Sequence, residues 1–502
     1  MATAIKSAAL HGIDAEPLTV EADLAPGLPA CIIVGLPDAA VSESRERVRA
    51  AIKNSGLMFP GGRVTVNLAP ADSRKEGAGY DLPIAVAVLA ASGMLTAVPH
   101  DAVFIGELSL DGSVRPIPGA LAIAQLARER KATCLFLPAE NAAEAALVPG
   151  LTIIPVASLT ALILHLAGSR RIRRVIHHIP EFTAQPWDAD LAFIRGQHTA
   201  KRALEIAAAG AHNILFSGPP GSGKTLLAHA LPSILPPLSF DEALEVTRIY
   251  SAAGLMTSGS LIRTRPFRHP HHSASAVAMV GGGAEARPGE ISLAHRGILF
   301  MDEFPEFPRT VLEHLRQPLE DGVVTVSRAS GTNIYPAKFL LVAARNPCPC
   351  GYAGDPMIQC TCTGSRLNLY QRRLSGPLLD RIDLCVDVPR QTYAALADTN
   401  TDEPSETVRG RVVAARQIQS ARYAAAAIIT NAELKPRGIT KHCPLSPEAK
   451  TAIALAVDRH HLSARAYHRL LKVARTIADL AGEEVILEKH ILEALQYRPR
   501  VE

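Results

Sequence analysis

The chain has 502 residues, a formal net charge of +4, 48 % apolar residues and 20 % charged residues. That length accommodates about three domains, and the balance excludes a disordered chain, which would carry fewer apolar and more charged residues. So small a net charge permits nucleic-acid binding without requiring it, because local clustering outweighs the total.

No apolar run is long enough to span a bilayer; Ile84 to Ala91 falls far short. The N-terminus lacks a basic-then-apolar export pattern, so the expectation is a cytoplasmic chain with no membrane partner. Residues 1–168 read as an α/β domain. Cys31 to Val34, Arg63 to Asn67 and Leu135 to Leu137 have strand character, bounded by Gly and Pro. Ser42 to Ser55 reads as a helix with Val48, Ala51 and Ile52 on its buried side, and Asp81 to Ala91 as a second. Residues 169–187 form a linker, with a basic run from Ser169 to Arg174 and then two prolines.

Residues 188–391 change to strand, Gly-rich loop, helix and further strands, the pattern of a nucleotide-binding α/β domain. Asn213 to Gly218 is a short apolar strand leading into Gly218-Pro219-Pro220-Gly221-Ser222-Gly223-Lys224-Thr225. This fits G-x-x-x-x-G-K-[ST] with a strand before it and a helix after it. The glycines let backbone N–H groups curl around phosphate oxygens, and the helix N-terminus adds favourable partial charge. Lys224 would reach the β- and γ-phosphates of ATP, and the Thr225 hydroxyl would ligate Mg²⁺.

Gly297 to Glu303 is an apolar strand closing on two carboxylates. Asp302 is expected in the Mg²⁺ shell, and Glu303 as the group that polarises the attacking water. Because neighbouring side chains on a strand point to opposite faces, the two should not share one task. Lys338 to Ala344 is a third strand, ending at Arg345 and Asn346, whose amide is placed to meet the water or the γ-phosphate. Arg381 follows, either as an arginine offered to a neighbouring subunit's phosphate or as an ion-pair partner of Asp380 or Asp383.

Cys348, Cys350, Cys360 and Cys362 put four of the eight cysteines in a short span, a possible tetrahedral Zn²⁺ site; Cys31, Cys134, Cys385 and Cys443 are scattered and expected to be buried. Val323 to Asn333 reads as a hairpin turning at Ala329-Ser-Gly331, with Arg328 near its tip. Arg268, His271 and His272 lie in a turn where they would either line a pore or pack near the nucleotide. Residues 392–502 read as helical, with Ser463 capping a helix to about Leu480 and another from Glu488 to Gln496. On the former, Arg465, Arg469 and Lys472 share a face, which for the latter two would ordinarily be solvated.

Together these passages resemble the magnesium-chelatase-like AAA+ family in its ComM/YifB branch. The resemblance rests on Val34-Gly-Leu-Pro-Asp38, Arg268-His-Pro-His-His272, Pro288-Gly-Glu-Ile-Ser-Leu-Ala-His295, Asn346-Pro-Cys-Pro-Cys-Gly351 and Ser375-Gly-Pro-Leu-Leu-Asp-Arg-Ile-Asp383. It implies an AAA+ P-loop core, a Lon-protease-C-terminal-like (S5 domain 2-like) domain in front and an α-helical lid behind. By similarity Asn346 is sensor 1, Arg381 an arginine finger acting in trans, and Arg465 the sensor-2 arginine. The family implies a homo-hexameric ring that projects such a hairpin into its pore, where Arg328 and Arg268 would be DNA contacts. In the Lon-like domain Gly79 stands where a serine nucleophile would be and Leu121 where its lysine would be, so no peptidase activity is expected. The implied function is ATP-driven translocation on single-stranded or branched DNA, promoting branch migration in homologous recombination during natural transformation. The alternative is a chelatase-type motor remodelling a partner protein, against which stands the fused Lon-like domain.

Overall fold

A computed structural model describes residues 3–71, 75, 77–176, 187, 189–256, 261–283, 287–328, 331–355, 357–374, 376–391, 402–424 and 428–498. Most of the expected linker, 177–186, the hairpin tip at 329–330, Pro356 and Ser375 fall outside these residues.

Among the described residues, nine strands precede residue 157: β1 Thr3–His11, β2 Asp14–Ala25, β3 Ala30–Val34, β4 Arg63–Ala69, β5 Ala102–Phe104, β6 Glu107–Leu108, β7 Val114–Arg115, β8 Cys134–Pro138 and β9 Thr152–Val156. Seven of them form one sheet in the order β3-β4-β2-β1-β5-β8-β9. It is mixed: β1 with β2 and β2 with β4 run antiparallel, and the remaining neighbours run parallel. In β4 the alternation places Val64, Val66 and Leu68 in the core. The helix Asp81–Ala91 is buried over nearly its whole length, which explains its almost uninterrupted apolar sequence. The helix Ala39–Asn54 starts where the Asp38 carboxylate accepts the Val41 N–H at 2.7 Å, and Val48, Ala51 and Ile52 are buried as expected.

Nine more strands follow among the described residues: β10 Ile214–Ser217, β11 Phe267–Arg268, β12 Gly281–Gly282, β13 Arg287–Pro288, β14 Ile298–Met301, β15 Val323–Arg328, β16 Gly331–Pro336, β17 Leu340–Arg345 and β18 Leu384–Asp387. A fully parallel five-stranded sheet takes the order β11-β14-β17-β10-β18. Helices cover both faces, so β14 and β17 are continuous apolar runs without alternation. β15 and β16 pair as the expected hairpin.

From Ser405 onward the described chain is helical. Ser463 does cap the helix Ala464–Leu480, its hydroxyl accepting the Ala466 N–H at 3.2 Å. A buried polar network ties this helix to its neighbours. The Asp479 carboxylate accepts from Arg422 at 3.0 Å, from Arg475 at 3.1 Å and from Asn431 at 2.8 Å. Arg469 and Lys472 do not form a solvated face. They donate to the carbonyls of Ile382 and Ala432, each at 2.7 Å, because the helix packs that side onto the body of the chain.

The two sheets are joined through the helix Phe240–Ala252. Its Ala243 and Val246 complete the core of the first sheet, and Gly119 N–H donates to Ser251 O at 3.1 Å. The turn between β1 and β2 reaches the hairpin: Ile13 is buried with Val324, Val326 and Tyr335. Among the described residues, no helix is long and apolar enough to cross a membrane.

Candidate active site

β10, β14 and β17 are neighbours, and their C-terminal ends deliver the groups singled out in the sequence. After β10 the chain passes through Gly218 to Gly223 and enters the helix Lys224–Ile234. Gly221 (φ +76°) and Gly223 (φ +93°) adopt left-handed backbone that exposes N–H groups at the helix start. Gly218 is required for a different reason, since a Cβ there would stand 2.2 Å from the Val388 carbonyl oxygen.

The Lys224 ammonium is buried and donates to Gly218 O at 2.7 Å, Pro219 O at 2.9 Å and Asn346 Oδ1 at 3.2 Å. Burial pulls its pKa below the usual lysine value, and Asp302 opposes that shift. The Thr225 hydroxyl donates to Asp302 Oδ2 at 3.0 Å, so the two oxygen ligands expected for Mg²⁺ are adjacent. The structure thus brings Lys224, Thr225, Asp302 and Asn346 together at the mouth of the phosphate loop.

Glu303 takes a separate direction. The strand ends at Met301, so pleat alternation does not separate the two carboxylates; a turn does. Glu303 sits at φ +51°, ψ +42°, uncommon for a residue with a side chain, and its N–H donates to Asp302 Oδ1 at 2.8 Å. Its carboxylate lies 3.0 Å from His272 Nδ1. The histidine turn therefore packs beside the acidic pair. His269 instead lies against Phe300, ring centroids 4.6 Å apart, while the His271 and His272 rings lie 4.0 Å from each other, and among the described residues the three do not gather as metal ligands.

Arg268 is held by Glu290 in two hydrogen bonds of 2.6 Å, which occupy the Nε–Nη2 edge of its guanidinium. Arg328 closes β15, and its side chain lies outside the described part of the structure. Arg381 pairs with neither Asp380 nor Asp383; it donates to Glu320 and to Pro377 O, while Asp383 accepts from the His212 side. Arg465 reaches the same Glu320 at 3.1 Å.

The four clustered cysteines do converge. Their sulfurs all lie within 4.8 Å of one another, with separations of 3.3 Å (Cys348 to Cys350), 3.7 Å (Cys348 to Cys360) and 3.6 Å (Cys350 to Cys360). A tetrahedron with Zn–S bonds of about 2.3 Å has edges of about 3.8 Å, so the donor set fits such an ion. The backbone N–H groups of Ala353 and Cys362 point at Cys348 and Cys360 sulfurs, at 3.3 and 3.4 Å, as expected where thiolates are stabilised. Hydrogen bonds from the backbone at Tyr352 and Thr361 push the Cys350 thiol down to about 5. At Cys360 and Cys362 backbone hydrogen bonds also lower the thiol, but desolvation and the hydrogen bonds with neighbouring thiols outweigh them and push both up. In the absence of a metal the cluster therefore favours one thiolate shared among its neighbours. Of the scattered cysteines only Cys443 is buried; Cys31, Cys134 and Cys385 are half-buried.

Two features escaped the sequence. Gln197, buried and left-handed (φ +54°), donates from its amide to Ser222 O at 3.2 Å and Pro389 O at 2.7 Å, bracing the phosphate loop from behind. The only local signal was the preceding Gly196 at a helix start. Gly351 (φ +88°), in the cysteine loop, lies directly against Pro220, so the cysteine cluster and the phosphate loop touch.

The site and the sheet are those of an AAA+ ATPase of the magnesium-chelatase type, and the chain belongs to this family. Residues 190–396 match the model of magnesium chelatase, subunit ChlI; residues 20–141 match that of subunit ChlI of Mg-chelatase; residues 402–498 match that of the ChlI C-terminal part. An uncharacterized protein, YifB, of Salmonella typhimurium is 45 % identical over 497 residues, covering 98 % of this chain and 96 % of its own. The competence protein ComM of Haemophilus influenzae is 43 % identical over 504 residues, covering 99 % and 97 %. The magnesium-chelatase 38 kDa subunit of Acidiphilium rubrum is 27 % identical over 222 residues, 43 % of this chain and 55 % of that subunit.

Proposed function

We propose that the chain is an ATP-driven DNA translocase, assembled as a hexameric ring, which promotes branch migration in homologous recombination during natural transformation. The observation that carries the ATP-hydrolysing half is the meeting of Lys224, Thr225, Asp302 and Asn346 at three adjacent strand ends, with Glu303 one residue on. Lys224 already binds three oxygens; it exchanges carbonyl oxygens for phosphate oxygens when nucleotide enters. Thr225 and Asp302 would hold Mg²⁺, which supplies charge neutralisation at the β- and γ-phosphates when bound. Glu303, freed from His272, orients and polarises the water, and Asn346 positions the γ-phosphate through the same amide that meets Lys224.

The DNA half is supported by the near full-length likeness to a protein named for competence. The likeness to a chelatase subunit spans less than half the chain, which favours DNA over the partner-remodelling alternative. The hairpin β15–β16, with Arg328 at its end, is the proposed pore element; Arg268, occupied by Glu290, is the weaker DNA contact of the two. We assign residues 1–168 to a non-proteolytic Lon-like domain, 188–391 to the AAA+ core and 392–502 to the lid. In the first of these Leu121 is fully buried and Gly79 faces Ile105 and Ile117, an apolar setting in place of nucleophile and base. The cysteine cluster is assigned to structural Zn²⁺, bracing the loop beyond Asn346.

The test is steady-state ATP hydrolysis with and without single-stranded, duplex and branched DNA, beside Glu303→Gln. Stimulation by DNA that disappears in the variant supports the motor. Hydrolysis indifferent to every DNA offered refutes the DNA assignment while leaving the ATPase intact.

A further inference from the structure

Arg381 and Arg465 come from separate parts of the chain, one following the short helix Gly376–Leu379, the other in the first turn of Ala464–Leu480. Both end on one side chain. Arg381 Nη2 donates to Glu320 Oε2, and Arg465 Nη2 donates to Glu320 Oε1 at 3.1 Å. A phosphate taking the place of the Glu320 carboxylate would therefore meet both guanidinium groups. Glu320 is the penultimate residue of the helix Arg316–Asp321, where the exposed carbonyls disfavour an acidic side chain and Asp321 adds a second like charge. The helix gains nothing from a carboxylate at that position; the arginines do.

Two guanidinium groups on one carboxylate leave a net positive charge. Arg381 is mostly buried, yet its Nε–H has no acceptor among the described residues, so the fork is incompletely satisfied by Glu320 and Pro377. Glu320 and Arg465 are each about half exposed (49 % and 50 %), so an incoming anion has access to the pair. Carboxylate and phosphate oxygens present the same geometry to an arginine fork, and two anions cannot occupy it together.

We propose that Glu320 is a positioning residue that holds Arg381 and Arg465 together as a preformed cationic pair, and that gives up its place to the γ-phosphate of a nucleotide bound by a neighbouring copy of the chain. This rests on the reading that Arg381 acts across a subunit boundary, and it extends that reading to Arg465 through the shared carboxylate. Glu320 keeps the two like charges aligned and close in the nucleotide-free state, and it competes with phosphate for them.

The experiment compares wild type with Glu320→Gln, which preserves shape and one acceptor oxygen, and with Glu320→Ala as a second variant. With the competing charge gone but an acceptor oxygen kept, Glu320→Gln is expected to lower KM for ATP about 3- to 10-fold with kcat changed less than about twofold, the difference shrinking at high salt, whereas Glu320→Ala, which also removes the hold on the arginines, is expected to lower kcat several-fold. A KM that is unchanged or raised in both variants overturns the proposal and leaves Glu320 a surface ion-pair partner. The underlying reading is tested separately by mixing Lys224→Ala subunits with Arg381→Ala subunits, each inactive alone. Recovered hydrolysis in the mixture supports action between subunits. No recovery overturns that reading even if Glu320→Gln lowers KM.

Discussion

The contact between Gly351 and Pro220 makes the phosphate loop depend on the cysteine loop. Gly351→Ala tests this. The residue sits at φ +88°, and an added Cβ would lie 2.6 Å from Pro220 Cδ and 2.7 Å from Cγ. The backbone conformation alone costs about 1–2 kcal/mol for an L side chain. Forcing a methyl group against a rigid ring adds about 1–3 kcal/mol unless the loops separate. Gly354→Ala is the matched control: it has a similar φ of +78° but nothing within 4 Å of the new Cβ. Gly354→Ala should therefore lose only the backbone part, and Gly351→Ala should lose both. Urea denaturation measures the stabilities, and titration with a fluorescent ATP analogue measures the nucleotide site. We expect Gly351→Ala to weaken nucleotide binding roughly 10-fold, through displacement of the loop that carries the phosphate-facing N–H groups. Equal stability losses in the two variants, with nucleotide affinity at the wild-type level in both, would refute the coupling.

Three further outcomes are expected. Asp479→Ala leaves the fully buried Arg475 without its charge partner and should cost about 3–5 kcal/mol by denaturation; a loss below about 1 kcal/mol would show the network to be dispensable. Protein purified without added metal should carry one zinc per chain, lose it in Cys350→Ser, and unfold at lower temperature after chelation; a zinc-free wild type with unchanged melting would remove the metal assignment. Acidification should destabilise the fold through Glu245 and His295. His295 Nδ1 accepts the Lys338 N–H, so its Nε2–H donates to Glu245 at 3.0 Å, and burial keeps the ring below its usual pKa. Burial raises the Glu245 pKa, but the hydrogen bonds from His295 and Arg296 outweigh it and hold the carboxyl down to about 2. Both folded-state pKa values are depressed. His295 therefore loses its contribution as pH falls below its unfolded value of about 6.5, and Glu245 loses its own between about 4.3 and 2. A stability difference between wild type and Glu245→Gln that persists unchanged down to pH 2 would contradict this sign.

Much of the parallel sheet was legible because a buried parallel strand is a continuous apolar run, and β10, β14 and β17 each end on residues of distinctive type. The hairpin and the cap at Ser463 were legible from local turn and capping chemistry. The first two strands were not. β1 and β2 carry charged and small residues between their apolar ones, and their pairing is fixed by a sheet whose other members lie as far away as residue 156. The outward-facing readings of Arg469 and Lys472 failed for a related reason. Helical spacing places residues on a face, but only the packing partner decides whether that face meets water.

The same distinction separates the readable from the unreadable half of the site. Lys224, Thr225, Asp302 and Asn346 are proposed to act through the functional group each carries, at the end of a strand that could be recognised, so type and place together announced them. Glu320, Gln197 and Gly351 act through whom they meet. Glu320 is 61 residues from Arg381 and 145 from Arg465 in the chain, and nothing in its own neighbourhood distinguishes it from other solvated glutamates. In the proposed motor such residues would set the charge and shape of the site between turnovers, and the motif residues are the ones proposed to perform the chemistry. For Glu303 both kinds meet in one contact: its identity was readable from the strand, while its strained backbone and its hold by His272 belong to a turn whose 272–303 pairing only the fold creates.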